Sequence, residues 1–131
     1  AVLVERGDAE KRAKSVEQLK SVLQKGISVV IAPEGTFNMT HQPLKSFYDG
    51  AFKIAIETET PIKPMLFMDT YDRLHYESIF SLTPGKSRTI FLEEIPVEGL
   101  TLDDVDMLKD KVYKAMEAAL IRYKASWIKS A

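Results

Sequence analysis

Apolar residues recur along this chain in two rhythms, and the switches between them mark its elements. Val2-Leu3-Val4 is a short apolar run ending at Glu5-Arg6-Gly7-Asp8, and reads as a buried strand. Asp8 then caps a helix in which Ala9, Ala13, Val16, Leu19 and Leu23 recur at helical spacing, and Gly26 stops it. Ile27-Ser28-Val29-Val30-Ile31 is β-branched and bounded by Gly26 and Pro33, the pattern of a strand buried on both faces. Strand, helix, strand in so short a span predicts a βαβ unit with parallel strands and a right-handed crossover. Residues 1–4 and 27–32 are then parallel neighbours, or one strand apart, with Arg6 and Glu34 on one rim of the sheet.

From Phe37 to Lys45 no period is visible, which predicts a loop. Ser46 and Asp49 have capping-box spacing ahead of an apolar stripe of Phe47, Ala51, Ile54 and Ala55, predicting a helix through Thr58. Gly50 within it reads as a point of close packing. Ile62 to Met68 is a second apolar strand, and Pro64 inside it calls for an edge or a bulge. Asp69 to Lys86 is aromatic without a period, and Tyr71, His75, Tyr76 and Phe80 read as a satellite core. Ser87 to Ile95 is a further strand. A second capping box, Thr101 with Asp104, opens the longest helix, its face running through Val105, Leu108, Val112, Ala115, Ala119, Tyr123 and Trp127. The expected fold is therefore α/β: one domain over residues 1–131, with a largely parallel, mixed central sheet flanked by helices.

Composition removes several function classes. Eighteen basic against 19 acidic residues leave a net charge of -1, which gives no electrostatic footprint for nucleic acid. There is no cysteine, hence no disulfide or thiolate chemistry, and neither His41 nor His75 sits in a metal-ligand spacing. No metal, no cofactor and no catalytic residue is assigned; both histidines read as ordinary loop residues. No apolar run approaches the roughly 20 residues of a membrane span, and no signal peptide is visible. The expected location is the cytoplasm, or the cytoplasmic inner face of a membrane. Ala1 opens the chain without a methionine and already within a strand-like run, so we expect a piece of a longer protein.

The candidate chemistry lies at Pro33-Glu34-Gly35-Thr36, at the carboxyl end of a predicted central strand, where ligands of open α/β sheets bind. Arg6 offers a bidentate fork for phosphate, Gly35 and Thr36 offer backbone N–H groups, and Glu34 orients the arginine. A structural Arg6–Glu34 ion pair is the alternative.

Val-Leu-Val-Glu-Arg, Ala-Pro-Glu-Gly-Thr, Leu44-x-x-Phe47-x-x-Gly50-Ala51-Phe52 and Thr60-Pro61-Ile62-Lys63-Pro64, in that order, resemble the glycerophospholipid acyltransferases typified by 1-acyl-sn-glycerol-3-phosphate acyltransferase. The resemblance covers nearly the whole chain. It implies transfer of a fatty acyl group from acyl-CoA or acyl carrier protein to a lysophospholipid, in phospholipid biosynthesis at a membrane surface. It also implies that Arg6, Glu34, Gly35 and Thr36 line the acceptor phosphate, and that Pro61, Ile62 and Pro64 lie near the acyl donor. Two features depart from the family pattern. The catalytic His-x-x-x-x-Asp pair is absent from these residues, so the chain alone is expected to be inactive. Phe37 stands where the family commonly has arginine, which leaves room for a different head group. A non-catalytic phosphate- or lipid-binding module of the same fold is the alternative function.

Overall fold

The computed structural model describes residues 9–75, 77–78 and 80–128, with side chains from residue 13 onward. The expected strand at 2–4, the Asp8 cap and Arg6 lie outside the described residues.

Helix α1 spans Ala9–Gln24. It ends where Gly26 takes φ +74°, and the Gly26 and Ile27 N–H groups return to the carbonyls of Leu23 and Val22, satisfying the orphan acceptors of the last turn. Leu19 is buried as expected, but Ser15 is buried too and Ala13 faces water. Lys20 joins Glu17 at 2.9 Å and Glu57 at 3.0 Å, tying α1 to the second helix.

That helix, α2, spans Gly50–Glu57 and buries Phe52, Ile54, Ala55 and Ile56. The expected Ser46–Asp49 capping box does not form. Asp49 is the N-cap but makes no side-chain cap bond; its carboxylate takes the Lys109 ammonium at 2.7 Å instead. Nor is Gly50 a point of close packing, since nothing approaches within 4 Å of where a Cβ would stand.

Strand β1 (Met65–Phe67) pairs antiparallel with β2 (Thr89–Phe91), Leu66 opposite Ile90. The ladder extends through Leu92 N–H to the Pro64 carbonyl and through a bridge between Ile62 and Ile95. With two strands in the sheet among the described residues, Pro64 lies on an edge of that pair, where its missing donor breaks no ladder bond. Alternation points Leu66 inward and Phe67 outward. Between the strands, α3 is one turn, Thr70–Arg73.

The described sheet is smaller than the expected one. Among the described residues it has two antiparallel strands rather than a largely parallel array. Within the expected strand 27–31, Val30 is 81% exposed, and among the described residues the backbone of 28–31 enters no hydrogen-bonded ladder. β-branched composition favours a strand only when neighbouring strands flank it, and no described residue does so.

A 3₁₀ turn, Leu102–Asp104, leads into α4, Val105–Arg122. Here the expected capping box is present: Asp104 Oδ2 accepts from the Thr101 N–H at 2.8 Å. Helix α4 buries Val105, Leu108, Val112, Met116, Ala119 and Leu120. Met116 and Leu120 replace Ala115 and Tyr123 on the expected face, because Tyr123 already lies past the last turn and Trp127 follows the reversal at Lys124, φ +54°. The Ser126 N–H then donates to the Met68 carbonyl, returning the chain to the end of β1. One cluster joins Leu44, Phe47, α2, β1, Val97 and α4 into the core.

Candidate functional site

Pro33-Glu34-Gly35-Thr36 turns sharply. Gly35 adopts φ +66° and its N–H donates to the Ala32 carbonyl at 3.2 Å. That φ is costly for a residue with a Cβ. Two bonds pin the turn to the segment before α2: Tyr48 N–H to the Pro33 carbonyl at 2.9 Å, and Lys45 N–H to Glu34 Oε2 at 2.8 Å. That segment is itself fixed, since Leu44 is buried and its carbonyl accepts from the Tyr113 hydroxyl of α4 at 3.3 Å. The Tyr113 ring also meets Phe47 edge-on at 5.1 Å. Glu34 is thus held through core residues rather than by the turn alone.

Burial raises the pKa of Glu34, and the N–H and charge of Lys45 only partly oppose that. Among the described residues, Glu34 lines a half-open cavity of about 190 Å³ together with Phe37, Asn38, Phe67, Tyr71, Leu74 and Trp127. Each arrives from a different place: the turn supplies Phe37 and Asn38, the outward face of β1 gives Phe67, α3 gives Tyr71, and the chain after α4 gives Trp127. The Trp127 indole N–H donates to the Gln42 carbonyl at 3.2 Å, which holds the loop against the C-terminal segment.

Of the described residues expected from sequence, Glu34 alone lines this cavity. Gly35 shapes the turn and Thr36 faces solvent. Pro61, Ile62 and Pro64 are not among its lining residues; Ile62 bridges to Ile95 and packs on the core. Phe67 was recoverable from strand alternation. Tyr71 and Trp127 carried no local signal. Phe80, 91% exposed, takes no part in the expected satellite core, while Tyr71 and His75 meet edge-on at 4.6 Å; Tyr76 lies outside the described residues.

Neither histidine lines the cavity. His41 Nδ1 lies 3.3 Å from the Trp127 carbonyl, and His75 Nδ1 lies 3.4 Å from a Glu77 carboxylate oxygen. Replacing either by alanine in the intact protein is expected to change kcat less than about twofold, the range of an ordinary surface substitution. A loss beyond tenfold in a steady-state assay would reinstate that histidine as a catalytic candidate. Among the described residues no group of histidine and carboxylate side chains is arranged to hold a metal, and no helix is long and apolar enough to cross a membrane.

The chain is 34% identical over 100 residues to human 1-acyl-sn-glycerol-3-phosphate acyltransferase alpha, covering 76% of this chain and 35% of that protein. The human beta form is 32% identical over 100 residues, with the same shares covered. The chain therefore spans about a third of the length of these relatives. The crystal structure of the 1-acyl-sn-glycerophosphate (LPA) acyltransferase PlsC from Thermotoga maritima superposes with a TM-score of 0.75 at 24% identity, over 91% of this chain and 48% of that one. That likeness shares the fold. The family model described as Acyltransferase matches residues 1–68, and with it the Glu34 turn, α2 and all of β1: the chain belongs to the acyltransferase family.

Proposed function

We propose that the intact protein moves a fatty acyl group from acyl-CoA or acyl carrier protein to the free hydroxyl of a lysophospholipid such as 1-acylglycerol-3-phosphate. The hydroxyl oxygen attacks the thioester carbonyl, the C–O bond forms as the C–S bond breaks, and the thiol leaves with the proton. The general base is the family's His-x-x-x-x-Asp pair, which these residues do not contain. This chain supplies the acceptor side. Arg6 stands beside Glu34, where Arg6, Gly35 and Thr36 receive the phosphate. Pro61, Ile62 and Pro64 lie toward the donor. The protein works in phospholipid biosynthesis, on the cytoplasmic face of a membrane.

The observation carrying this reading is the Glu34–Gly35–Thr36 turn, pinned to the core through Lys45 and Tyr48 within the part of the chain that matches the family. Its test is a transfer assay with lysophosphatidate and acyl-CoA. Turnover is expected from the intact protein and none from residues 1–131 alone. In the intact protein, Arg6→Ala should raise KM for lysophosphatidate roughly tenfold, the loss of one charge-assisted hydrogen bond. Added salt should weaken the wild-type interaction. No product from the intact protein would overturn the activity, and an unchanged KM would remove Arg6 from the phosphate site.

A further inference from the structure

We propose that the loop between α3 and β2 docks the protein on an anionic bilayer, with Phe80 and Leu82 inserted among the lipids and the basic residues around the loop's base against the head groups. The choice of a lipid surface rests on the proposed function; the choice of this loop rests on its geometry. Residues 74–82 leave and rejoin the body at one point. The Thr83 N–H donates to the Arg73 carbonyl at 2.9 Å, and Arg73 Nη1 donates to the carbonyls of Thr83 at 3.3 Å and Pro84 at 2.9 Å. The same guanidinium lies against Gly85, in the space that a Cβ there would need. Within the loop, the His75 N–H donates to Ser81 Oγ at 2.9 Å, the Phe80 N–H donates to Ser78 Oγ at 3.1 Å, and Ser81 Oγ donates to the Ser78 carbonyl at 2.6 Å. Joined ends and internal bonds make this a compact Ω-type loop, a kind of element that frequently carries function.

This built loop turns apolar side chains toward water. Phe80 is 91% exposed and Leu82 70%. Leu74, exposed at the start of the loop, also lines the cavity beside Glu34, so the loop runs from the cavity to its apolar tip. The base is basic. Lys86 is exposed and close enough to Asp69 to favour its ionised form. Arg88, paired with Asp69, donates to the carbonyls of Tyr123 and Lys124, which brings the exposed Arg122 and Lys124 to the same corner. With Asp69 and Arg88 neutralising each other, Arg73, Lys86, Arg122 and Lys124 outnumber Asp72 and Glu77 there among the described residues. Apolar side chains flanked by lysine and arginine are the composition of interfacial membrane anchors, and basic groups at the surface are drawn to anionic lipid. A narrow tip offers little area to a folded protein partner, whereas insertion among acyl chains requires only the side chains themselves. The lysophospholipid acceptor of the proposed function resides in such a surface.

The test uses the intact protein with a polarity-sensitive dye on Phe80→Cys, in a background without other cysteines. On vesicles of phosphatidylglycerol and phosphatidylcholine carrying a quencher in the acyl region, this dye should shift to the blue and be quenched. The same dye on Met107→Cys, exposed at the start of α4, should do neither. Phe80→Ser combined with Leu82→Ser should weaken vesicle binding at least about tenfold, the scale of keeping two large apolar side chains in water. Lys86→Ala should weaken binding to these vesicles about fivefold and leave binding to pure phosphatidylcholine unchanged. A vesicle-bound protein whose dye at position 80 stays in water overturns the inference. So does a blue shift that needs no vesicles and grows with protein concentration, which would assign the tip to a second copy of the chain. Equal binding to the two kinds of vesicle overturns the choice of an anionic surface. Acyl transfer to detergent-dispersed lysophosphatidate, with the tip in water on vesicles, refutes the docking loop and leaves the proposed function standing. An inserted tip without any acyl transfer does the reverse.

Discussion

Leu108→Ala is expected to lower the melting temperature by roughly 10–15 °C. Leu108 is 1% exposed on the core face of α4, in the cluster that contains α2 and β1 residues. Leucine truncation in a packed core costs about 3 kcal/mol or more, because the transfer term is joined by the residual cavity. In a domain of this size each kcal/mol moves the midpoint by roughly 4 °C. The neighbouring Met107 supplies the control: it is 51% exposed, so Met107→Ala should shift the midpoint by no more than about 2 °C. A calorimetric scan giving the two variants equal shifts would mean that α4 does not bury the face described above.

This face is also where sequence and structure agree most closely, and the reason is physical. A long helix repeats its signal over several turns, and the Thr101–Asp104 capping box is a local bond between residues three apart. Neither depends on distant chain. The disagreements fall where burial depends on what lies across the gap. Ser15 is buried and Ala13 exposed because neighbouring packing, rather than residue polarity, sets which stripe of α1 is covered. Ile27–Ile31 has the composition of a central strand, yet composition cannot supply the flanking strands that bury one. Asp49 has capping spacing, but Lys109, 60 residues away, offers the stronger partner.

The cavity was the least legible feature. The turn containing Glu34 was identifiable from proline, glycine and its place after an apolar run. The walls were not, since Phe67, Tyr71 and Trp127 come from elements with no common spacing. Trp127 followed the period of α4 only by extrapolation past the helix's true end. Phe37 was visible as a departure from the family pattern, but its consequence emerges only when the other rings stand around it.

Asp69→Ala should produce the second large loss, roughly 2 kcal/mol or about 8 °C. Asp69 lies two residues after β1 and is almost fully buried; Arg88 precedes β2. Asp69 Oδ2 accepts from the Arg88 backbone N–H at 2.8 Å and from Nε at 2.9 Å, while Oδ1 accepts from Nη2 at 2.6 Å. The same guanidinium donates onward to the Tyr123 carbonyl at 2.8 Å and the Lys124 carbonyl at 3.1 Å. It therefore satisfies acceptors at the end of α4, where a cation also complements the helix dipole. Removing one partner of a fully buried pair costs more, about 3–5 kcal/mol, but the Arg88 side chain is 32% exposed, and water recovers part of the loss. The side-chain bonds from Arg88 hold the Asp69 carboxyl below its ordinary pKa, against the opposing effect of burial. A depressed carboxylate pKa stabilises the fold fully above the unfolded value, near 3.9, and the contribution fades as pH falls toward the folded value. The gap in melting temperature between wild type and Asp69→Asn should accordingly stay constant from about pH 7 to pH 5 and shrink below about pH 4. A gap as wide at pH 3 as at pH 7 would show that the shape of the side chain, and not its charge, joins β1, β2 and the end of α4.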